Sequence, residues 1–506
     1  MDLNYIFNDA KDGLIVKGSR ELAGELIIPS EHELAGKIYP VKEIGDEAFS
    51  WTKLTSVIIP DSVIKIGVLA FGICNKLNSI VIPNSVITIE DRAFLSCTEL
   101  TSIHIPASVT FIHPWAFVNC DKITNIIVDK ENKQYDSRDN CNAIIETKTN
   151  TLVIGGNSSF IPDSVLKIGK DAFRGRSNLS SIIIPDSVTE IDDGAFYDCV
   201  SIKSVIISKS AVRIGDHAFR GCAISSVLIP DSVNRIERCP FSGCSKLVSI
   251  VVEKNNNKYD SRDDCNAIIE TATNILVVGC STSTIPKSIV EIGSNAFLEC
   301  ENLSSITMPD SVTKIGSWAF MWCSDLESID ISCNVTEIGT GAFLGCKRLK
   351  SITIPNNVIL FKKSVLEDCP MLISIKVDKG NLYYDSRDDC NAIIETASNT
   401  LIAGCSSTII PDSVTKIGEM AFCGCYREKG GVMRDEVKGR WRIRRLLGKE
   451  EQQRPSSTTL IIPDSVTSIG RGAFMGCYGL QKIVIRDASL LKDACVPEEV
   501  SIIKPL

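Results

Sequence analysis

The sequence contains 21 cysteines among 506 residues, so the thiol is the side chain with the most capacity for chemistry. Thiolates bind zinc when they occur as Cys-x-x-Cys pairs, and thiols form disulfides in secreted proteins. No Cys-x-x-Cys pair occurs, and Cys423 and Cys425, separated by one residue, come nearest to one. The cysteine spacing therefore predicts no metal site, and no other pattern in the chain predicts a cofactor.

Twelve of the cysteines instead share one position of an internal repeat, where Thr52 and Arg176 replace cysteine without loss of the pattern. A column that accepts such exchange is expected to pack as small apolar side chains rather than to form cross-links. The twelve are Cys74, Cys97, Cys120, Cys199, Cys222, Cys244, Cys300, Cys323, Cys346, Cys369, Cys425 and Cys477.

Serine and histidine offer a second chemistry. Of the four histidines, His32, His104, His113 and His217, only His104 has a serine, Ser102, two residues before it on a predicted strand. Alternate residues of a strand share a face, but a hydrolase also needs an acid that orients the histidine, and none is evident. Nucleophile-elbow, phosphate-loop and HExxH motifs are absent from the sequence. A hydrolase using surface serine and histidine is thus the minor alternative, and we predict that the protein is not an enzyme.

The motif Asp-Ser-Arg-Asp, which begins at Asp136 and recurs at Asp260 and Asp385, is a third candidate. Its carboxylates could bind calcium or a partner, but calcium takes six or more oxygens and an arginine inside the cluster opposes a cation. The interpretation that we favour is a turn held by Asx hydrogen bonds and by an Asp136–Arg138 pair.

These residues belong to a repeat of 23 residues, which reads PDSVIKIGVLAFGICNKLNSIVI from Pro60 and PNSVITIEDRAFLSCTELTSIHI from Pro83. Fourteen units run from Phe49 to Phe474, and Leu366 once replaces the phenylalanine. A unit this short cannot bury its own apolar face, whereas stacked copies bury a shared core. The repeat therefore predicts a solenoid rather than the three or four domains that length alone suggests.

The apolar period changes within each unit. Residues 77–82 alternate and include β-branched side chains, which predicts a strand that Pro83 ends. Ala93-Phe94, followed by Cys97, predicts one helical or 3-10 turn on the opposite side. The side chains expected to point inwards in the unit that starts at Pro60 are Val63, Ile66, Ala70, Phe71, Cys74, Leu77, Ile80 and Ile82.

Three units are longer, at 106–161, 230–285 and 355–410, where the repeat step grows from 23 to 56 residues. Their added residues are nearly identical, and in the first copy they predict strands at 142–146 and 151–154 that form a β-hairpin. The predicted fold class is a β-rich α/β solenoid, a leucine-rich repeat rod of about 14 coils. A parallel sheet lies on one face, short helical or 3-10 turns lie opposite, and three coils contain hairpins.

The repeats also set the domain boundaries. We predict an N-terminal cap over 1–40, the solenoid over 41–426, a last repeat over 459–485 and a C-terminal cap or tail over 486–506. Between 427 and 458 the repeat is lost, and ten Lys/Arg against five Asp/Glu make the segment basic. Inserted loops cost little stability, so we expect a flexible insertion. The alternative is a basic loop that meets an acidic partner, a membrane surface or nucleic acid.

The composition excludes several functional classes. The net charge of −8 argues against nucleic acid as the main partner, because a polyanion attracts a basic surface. No apolar run approaches the ~20 residues that a membrane helix needs. The start, MDLNYIFNDAKDG, lacks the basic and apolar regions of a signal peptide, and the end shows no anchor signal.

Units of the form IPDSVTxIGxxAFxGCxxLxSIxIP resemble the repeats of BspA-like leucine-rich repeat surface proteins, from about Gly24 to Ile485. The resemblance implies a leucine-rich repeat fold, a place on the cell surface or outside the cell, and adhesion without catalysis. The implied partner is a protein, for example a host extracellular matrix or cell-surface protein. A cytoplasmic location, with the chain as an intracellular repeat scaffold, is the alternative that the absent signal peptide leaves open.

The predicted strand presents two outward positions, one on each side of its second apolar residue. The first is nearly always serine, and the second is apolar at eight of its first nine occurrences. An exposed apolar stripe predicts a contact face for a protein partner or for a second copy of the chain. The alternative is that Ile and Val simply favour strands. The nine residues are Ile58, Val81, His104, Ile127, Phe160, Ile183, Ile206, Leu228 and Val251, and the next five are Thr284, Thr307, Asp330, Thr353 and Lys376.

Overall fold

The computed structural model describes residues 3–426, 433–437, 440–444 and 458–505. Its contacts divide the chain into two units, Met1–Asp260 and Ser261–Leu506. Each unit is a β-solenoid of stacked coils whose strands pair in parallel, with almost no helix. The predicted solenoid fold is therefore confirmed within each unit.

The alternating segment of the repeat forms a strand, because every second side chain can then enter the core. Strands of successive coils pair with equal repeat positions opposite each other, as Ser56 does with Ser79 and Ser226 with Ser249. In the first unit this first strand column comprises Ala23–Ile27, Lys53–Ile58, Ser79–Val81, Ser102–Ile105, Asn125–Val128, Ile182–Ile183, Val205–Ile206, Ser226–Ile229 and Ser249–Val252.

The structure adds a second strand column that the repeat pattern did not predict. It forms at short segments such as Lys65–Ile66, and two residues are too few to show a period. In the first unit it comprises Lys37–Ile44, Lys65–Ile66, Thr88–Ile89, Phe111–Ile112, Thr151–Gly155, Lys167–Ile168, Glu190–Ile191, Arg213–Ile214 and Arg235–Ile236. The strands Asn4–Phe7, Leu14–Lys17 and Glu31–Leu34 extend it or pair with it near the N-terminus.

The second unit repeats both columns. Its first column comprises Ser305–Thr307, Ser328–Asp330, Ser351–Ile354, Ser374–Val377, Thr459–Ile461, Lys482–Val484 and Ser501–Ile503. Its second column comprises Ile275–Val278, Glu291–Ile292, Lys314–Ile315, Glu337–Ile338, Leu360–Phe361, Thr400–Gly404, Lys416–Ile417 and Ser468–Ile469. A 3-10 helix at Ala488–Leu491 follows the last repeat.

The segment around Ala-Phe differs from the predicted helical or 3-10 turn. Leu69 and Ile73 have φ of 53° and 63°, so left-handed residues interrupt any helix. Backbone N–H groups alternate between partners in their own coil and in the next one: Ala70 N bonds Gly67 O at 3.2 Å, and Phe71 N bonds Ala93 O at 2.8 Å. The turns therefore form a third ladder that joins neighbouring coils.

Phenylalanine fills the centre of each coil. In the first unit the buried rings of Phe71 and Phe94 stack with centroids 5.4 Å apart, and those of Phe94 and Phe117 lie 5.0 Å apart. Of the eight side chains predicted to point inwards in the coil after Pro60, seven are buried and Ile80 is partly buried. The predicted core is thus the observed one.

The longer coils contain the predicted hairpins. Ala143–Glu146 pairs antiparallel with Thr151–Gly155, and Tyr135–Asp136 adds a third strand. Gly155 lies in this coil where other coils have phenylalanine. A Cβ at this position would overlap the Phe173 ring, which explains why the residue is glycine. In the second unit Ala392–Glu395 and Thr400–Gly404 pair in the same way, next to Tyr384–Asp385. Ile268–Glu270 pairs with Ile275–Val278.

Within the predicted insertion over 427–458, the structure describes Thr458 and two antiparallel strands, Met433–Val437 and Arg440–Arg444. The other residues of this segment lie outside the described residues, so its flexibility stays a prediction. The predicted caps and domain boundaries also stay predictions.

Candidate functional site

The first strand column of the first unit presents an outward row of apolar side chains. All eight apolar residues of the predicted stripe are exposed, from 46% at Ile127 and Val251 to 73% at Ile183. His104, the ninth, is exposed as well. The structure therefore brings the nine predicted residues to the surface.

Strand register aligns most of these side chains. Ile58 pairs with Val81, Ile183 with Ile206, and Leu228 with Val251. Paired strands lie ~4.8 Å apart, so equal repeat positions follow one another at that spacing. Within a strand the neighbours alternate, since Val57 is buried between the more exposed Ser56 and Ile58. The alternation that fills the core thus also creates the apolar surface.

Phe160 is the exception to the sheet prediction. It is exposed, but it lies outside any strand, in the long coil, where its N–H bonds the carbonyl of Cys141 at 3.2 Å. The hairpin of this coil pairs with the second strand column, through Thr151–Gly155 and Lys167–Ile168. Phe160 therefore adds apolar surface without belonging to the sheet.

The stripe has one further member that the sequence analysis missed. Ile27 is 66% exposed and pairs with Ile58, which places it one coil before the predicted start. The signal was present in Leu26-Ile27-Ile28-Pro29, which matches Val57-Ile58-Ile59-Pro60 of the next coil. The name "apolar stripe" below covers Ile27 together with the nine predicted residues.

The second unit lacks an apolar row at the corresponding positions of its first coils. Thr284, Thr307, Asp330, Thr353 and Lys376 are all exposed. Exposed apolar residues return at Ile409 and Ile461. The polar run offers a comparison surface with the same backbone geometry.

The one histidine of the stripe, His104, has a serine beside it on the same strand, Ser102. Ser102 and His104 are both exposed and share a strand. Among the described residues, the ion pairs that involve histidine join His113 to Asp91 and His217 to Asp216, and neither includes His104. A hydrolase would need an acid at His104 to orient it.

The Asp-Ser-Arg-Asp motif forms the turn that the sequence predicted. Arg138 Nε donates to Asp136 Oδ1 at 2.8 Å and its Nη2 lies 2.5 Å from Oδ2, so both carboxylate oxygens are engaged. The Arg138 N–H also bonds Asp136 Oδ1 at 3.1 Å, which closes an Asx turn. Asp385 and Arg387 repeat this geometry in the second unit. The hydrogen bond to the aspartate raises the pKa of Arg138.

The cysteine column has a specific role in the core. Cys97 Sγ donates to the carbonyl of Phe71, and Cys120 Sγ to that of Phe94, each at 3.1 Å. Burial raises the pKa of the Cys120 thiol to about 11. All 21 cysteines lie among the described residues, and none of them forms a disulfide there. Eleven of the twelve column cysteines are buried, and Cys300 is half-buried.

Arg176 occupies the same column and is fully buried. Its Nε donates to Gly155 O at 2.7 Å, and its Nη1 lies 3.0 Å from Phe117 O and 3.4 Å from Cys120 O. The long coil adds a layer between this position and the phenylalanine carbonyl of the preceding ordinary coil, that of Phe117. The long arginine side chain spans the added layer. Burial lowers the pKa of Arg176.

One further cluster was missed by the sequence analysis, which predicted no metal site. Asp216, His217 and Cys239 place one donor atom each within 4.8 Å of one another. His217 and Cys239 occupy the same repeat position, immediately before Ala218 and Pro240, in successive coils. Aligning the repeats by this position is the signal that could have found the cluster.

The repeat content decides the family. The model described as BspA type Leucine rich repeat region matches in six copies, at residues 42–167, 166–266, 278–391, 398–429 and 452–493, which is more than half of the chain. The chain belongs to the BspA-type leucine-rich repeat family. The resemblance expected from the sequence is thereby confirmed. In this chain the BspA-type repeats fold into the two strand columns described above.

Solved structures resemble this BspA-type chain over nearly its whole length. A leucine rich cell surface protein from Faecalibacterium prausnitzii A2-165 is 25% identical, with 98% of this chain and 97% of that one covered and a TM-score of 0.40. A leucine-rich repeat protein from Bacteroides ovatus ATCC 8483 is 21% identical, with coverage of 100% and 99% and a TM-score of 0.38. The pneumococcal vaccine antigen PcpA is 17% identical, with coverage of 100% and 96% and a TM-score of 0.32.

Among curated proteins, none matches the chain. In the described part of the BspA-type chain, no helix has the length and apolar character needed to cross a bilayer.

Proposed function

We propose that this BspA-type protein is a non-catalytic adhesion or interaction protein that binds a protein partner through the apolar stripe. The observation that carries the proposal is the exposure of all eight predicted apolar residues, seven of them on the first strand column of the first unit. Single exposed apolar residues are ordinary on protein surfaces, whereas a contiguous row of them marks a contact site.

The stripe has the dimensions of a protein-binding surface. Its ten members are separated by nine steps between coils, and at ~4.8 Å per step its ends lie on the order of 40 Å apart. Side chains as exposed as Ile183 and Ile206 gain about 25 cal/mol for each Å² of apolar surface that a partner covers. Serines flank the row and supply hydrogen-bonding groups at its rim, an arrangement typical of protein interfaces.

The charge of the chain favours a protein partner over nucleic acid, since the net charge is −8. Family resemblance favours a partner outside the cell, such as an extracellular matrix or cell-surface protein, and a place for this chain at the cell surface or in the medium. The alternative is an intracellular scaffold. Antibody labelling of intact cells separates the two, because only a surface protein is reached without permeabilisation.

The decisive experiment replaces Phe160, Ile183 and Ile206 with lysine and measures binding to immobilised extracellular matrix proteins. The matched control replaces Thr284, Thr307 and Thr353 with lysine, so that the same charge is added at equivalent exposed positions of the second unit. We expect the first variant to lose binding that the wild-type chain and the control retain. Equal binding by both variants, with circular dichroism unchanged, would remove the stripe from the interface.

Self-association through the stripe is tested by the same pair of variants. Sedimentation velocity measures whether the wild-type chain forms dimers. If it does, and only the Phe160, Ile183 and Ile206 variant becomes monomeric, the partner of the stripe is a second copy of this chain.

A further inference from the structure

We propose that Asp216, His217 and Cys239 form a binding site for a divalent zinc-like metal ion on the turns before Ala218 and Pro240. The site lies in the first unit, away from the apolar stripe in the repeat. It is independent of the proposed interaction function, and neither proposal depends on the other.

The donor set fits zinc chemically. One carboxylate oxygen, one imidazole nitrogen and one thiol sulfur are ligands that Zn²⁺ accepts together, whereas calcium and magnesium prefer oxygen alone. The cysteine would bind as thiolate and release its proton to solvent. Three protein ligands leave a fourth tetrahedral position for water.

The distances also fit. Asp216 Oδ1 lies 3.7 Å from His217 Nε2, too far for a hydrogen bond but close to the ~3.3 Å that separates two donors on one tetrahedral zinc. All three donors lie within 4.8 Å of one another, so a central ion would be at most about 2.8 Å from each. Small side-chain rotations bring these distances to the bond lengths of ~2.0–2.3 Å that zinc requires.

A buried oxygen supports the site independently. Asp216 Oδ1 is inaccessible to solvent and has no hydrogen-bond partner among the described residues. A buried acceptor without a partner is costly, and a metal ion would satisfy it. The orphaned atom is the same one that faces His217 Nε2.

The surroundings orient the histidine as a ligand. His217 Nδ1 lies 3.5 Å from the hydroxyl of buried Ser242. If Nδ1–H donates there, Nε2 presents its lone pair to the site, as in zinc-bound histidines, whose other ring nitrogen donates a hydrogen bond. His217 and Cys239 also share the left-handed conformation, with φ of 54° and 55°, at the same repeat position of adjacent coils.

Two arginines lie near the site, and neither is held against Asp216 Oδ1. Arg213 is 2.6 Å from Asp193 and 2.7 Å from Asp192, and it also contacts Glu237. Among the described residues, these three carboxylates, and not Asp216, are the partners of Arg213. The cation that faces Asp216 is Arg238, at 3.7 Å from Oδ2 rather than Oδ1. The Arg238 side chain is 77% exposed and can move into solvent when a cation binds.

Titration of the chelator-treated full chain with Co²⁺, a spectroscopic substitute for zinc, tests the proposal. We expect one ion to bind with tetrahedral visible bands and a thiolate charge-transfer band. Cys239→Asn should abolish the charge-transfer band, and His217→Asn should weaken binding by more than about tenfold. Asparagine tolerates the left-handed conformation and already stands at this repeat position as Asn295, so both variants are expected to fold.

The control removes the two exposed thiols, Cys333 and Cys495, by substitution with serine. This variant should keep the charge-transfer band. Added Zn²⁺ should also raise the melting temperature of the wild-type chain and of the control, but not of Cys239→Asn. A band that persists in Cys239→Asn, a band that vanishes in the control, or no thiolate band in the wild-type chain would each overturn the assignment.

Discussion

The thiol of Cys97 lies 3.1 Å from the carbonyl oxygen of Phe71 in the preceding coil. Similar bonds join Cys199 to Phe173 at 3.0 Å and, in the second unit, Cys346 to Phe320 at 3.3 Å. The same buried carbonyl also accepts the N–H of Cys74 at 3.3 Å, so the thiol of the next coil supplies its second hydrogen bond. Cysteine suits the position because it is small, apolar and able to donate one weak hydrogen bond.

Replacement of Cys97 with alanine should therefore cost about 1–2 kcal/mol, because one of the two hydrogen bonds to the carbonyl is lost and the missing sulfur leaves a small cavity. Urea denaturation of the full chain measures it. Cys333→Ala is the matched control, because Cys333 is exposed, and it should change stability by no more than about 0.5 kcal/mol. Equal costs for the two variants would contradict the role of the thiol column.

Thiol reactivity should separate the cysteines by position. Burial raises the pKa of Cys199 to about 12 and that of Cys97 well above its usual range, so these thiols are protonated as well as inaccessible. At about pH 8, near the unperturbed thiol pKa, iodoacetamide should modify exposed Cys333 and Cys495 first. Peptide mass spectrometry identifies the labelled residues. Rapid labelling of Cys97 or Cys199 in the folded chain would contradict the buried core.

Arg176 should tolerate cysteine better than alanine. Both changes remove a fully buried guanidinium. In the second unit, however, cysteine occupies the equivalent position after a long coil, and the Cys425 thiol donates to Gly404 O at 3.2 Å. Arg176→Cys can restore a bond of that kind to Gly155 O, whereas Arg176→Ala leaves three carbonyls without this donor. We expect Arg176→Ala to lose more than about 3 kcal/mol and Arg176→Cys clearly less. Thermal and urea denaturation compare them, and the reverse order would refute the argument.

Acid stability should depend on Asp192. Desolvation raises its pKa, but bonds from Lys167 at 2.9 Å and Arg213 at 2.7 Å outweigh that effect and lower the pKa overall. A carboxylate with a lowered folded pKa stabilises the fold above its unfolded pKa of about 3.9, and the stabilisation is lost as the pH falls through the folded pKa. Asp192→Asn should therefore flatten the decline in unfolding free energy below about pH 5.

The control for this pH series is Asp61→Asn, which removes the same charge from an exposed turn. Its stability profile between about pH 2 and pH 7 should follow that of the wild-type chain. Identical slopes for Asp192→Asn and the wild-type chain would show that the Lys167–Asp192–Arg213 network does not contribute.

Periodicity explains which parts of the fold were predictable. The first strand column alternates with a period of two over several residues, and Val57, Ile59 and Ile66 are buried where the repeat places apolar residues. The second column contains pairs such as Thr88–Ile89, too short for any period to appear. The hairpins were predictable because their strands are longer and are separated by a polar turn.

The turns were predicted less well, because their conformation depends on neighbouring coils. Leu69 and Arg92 have positive φ, a conformation that leucine and arginine rarely adopt. Bonds between coils, such as Leu69 N to Asp91 O at 2.9 Å, offset the local strain. A single-sequence argument from residue preference does not include these bonds.

The exposure of the stripe followed from the strand pattern, whereas the Asp216–His217–Cys239 cluster did not. Its members come from two coils, and His217 and Cys239 are 22 residues apart. Motif spacing within one segment misses donors that only stacking brings together.

The bond from Phe71 N to Ala93 O, like its counterparts along the turns, joins a coil only to its neighbour. In the proposed adhesion role, tension along the stack would load such ladders in series, and each coil could detach without breaking the bonds of coils further along. Every released coil would then add about 23 residues of slack, on the order of 75 Å of extended chain. The repeat would in that way absorb sudden tension as a sequence of small yielding steps.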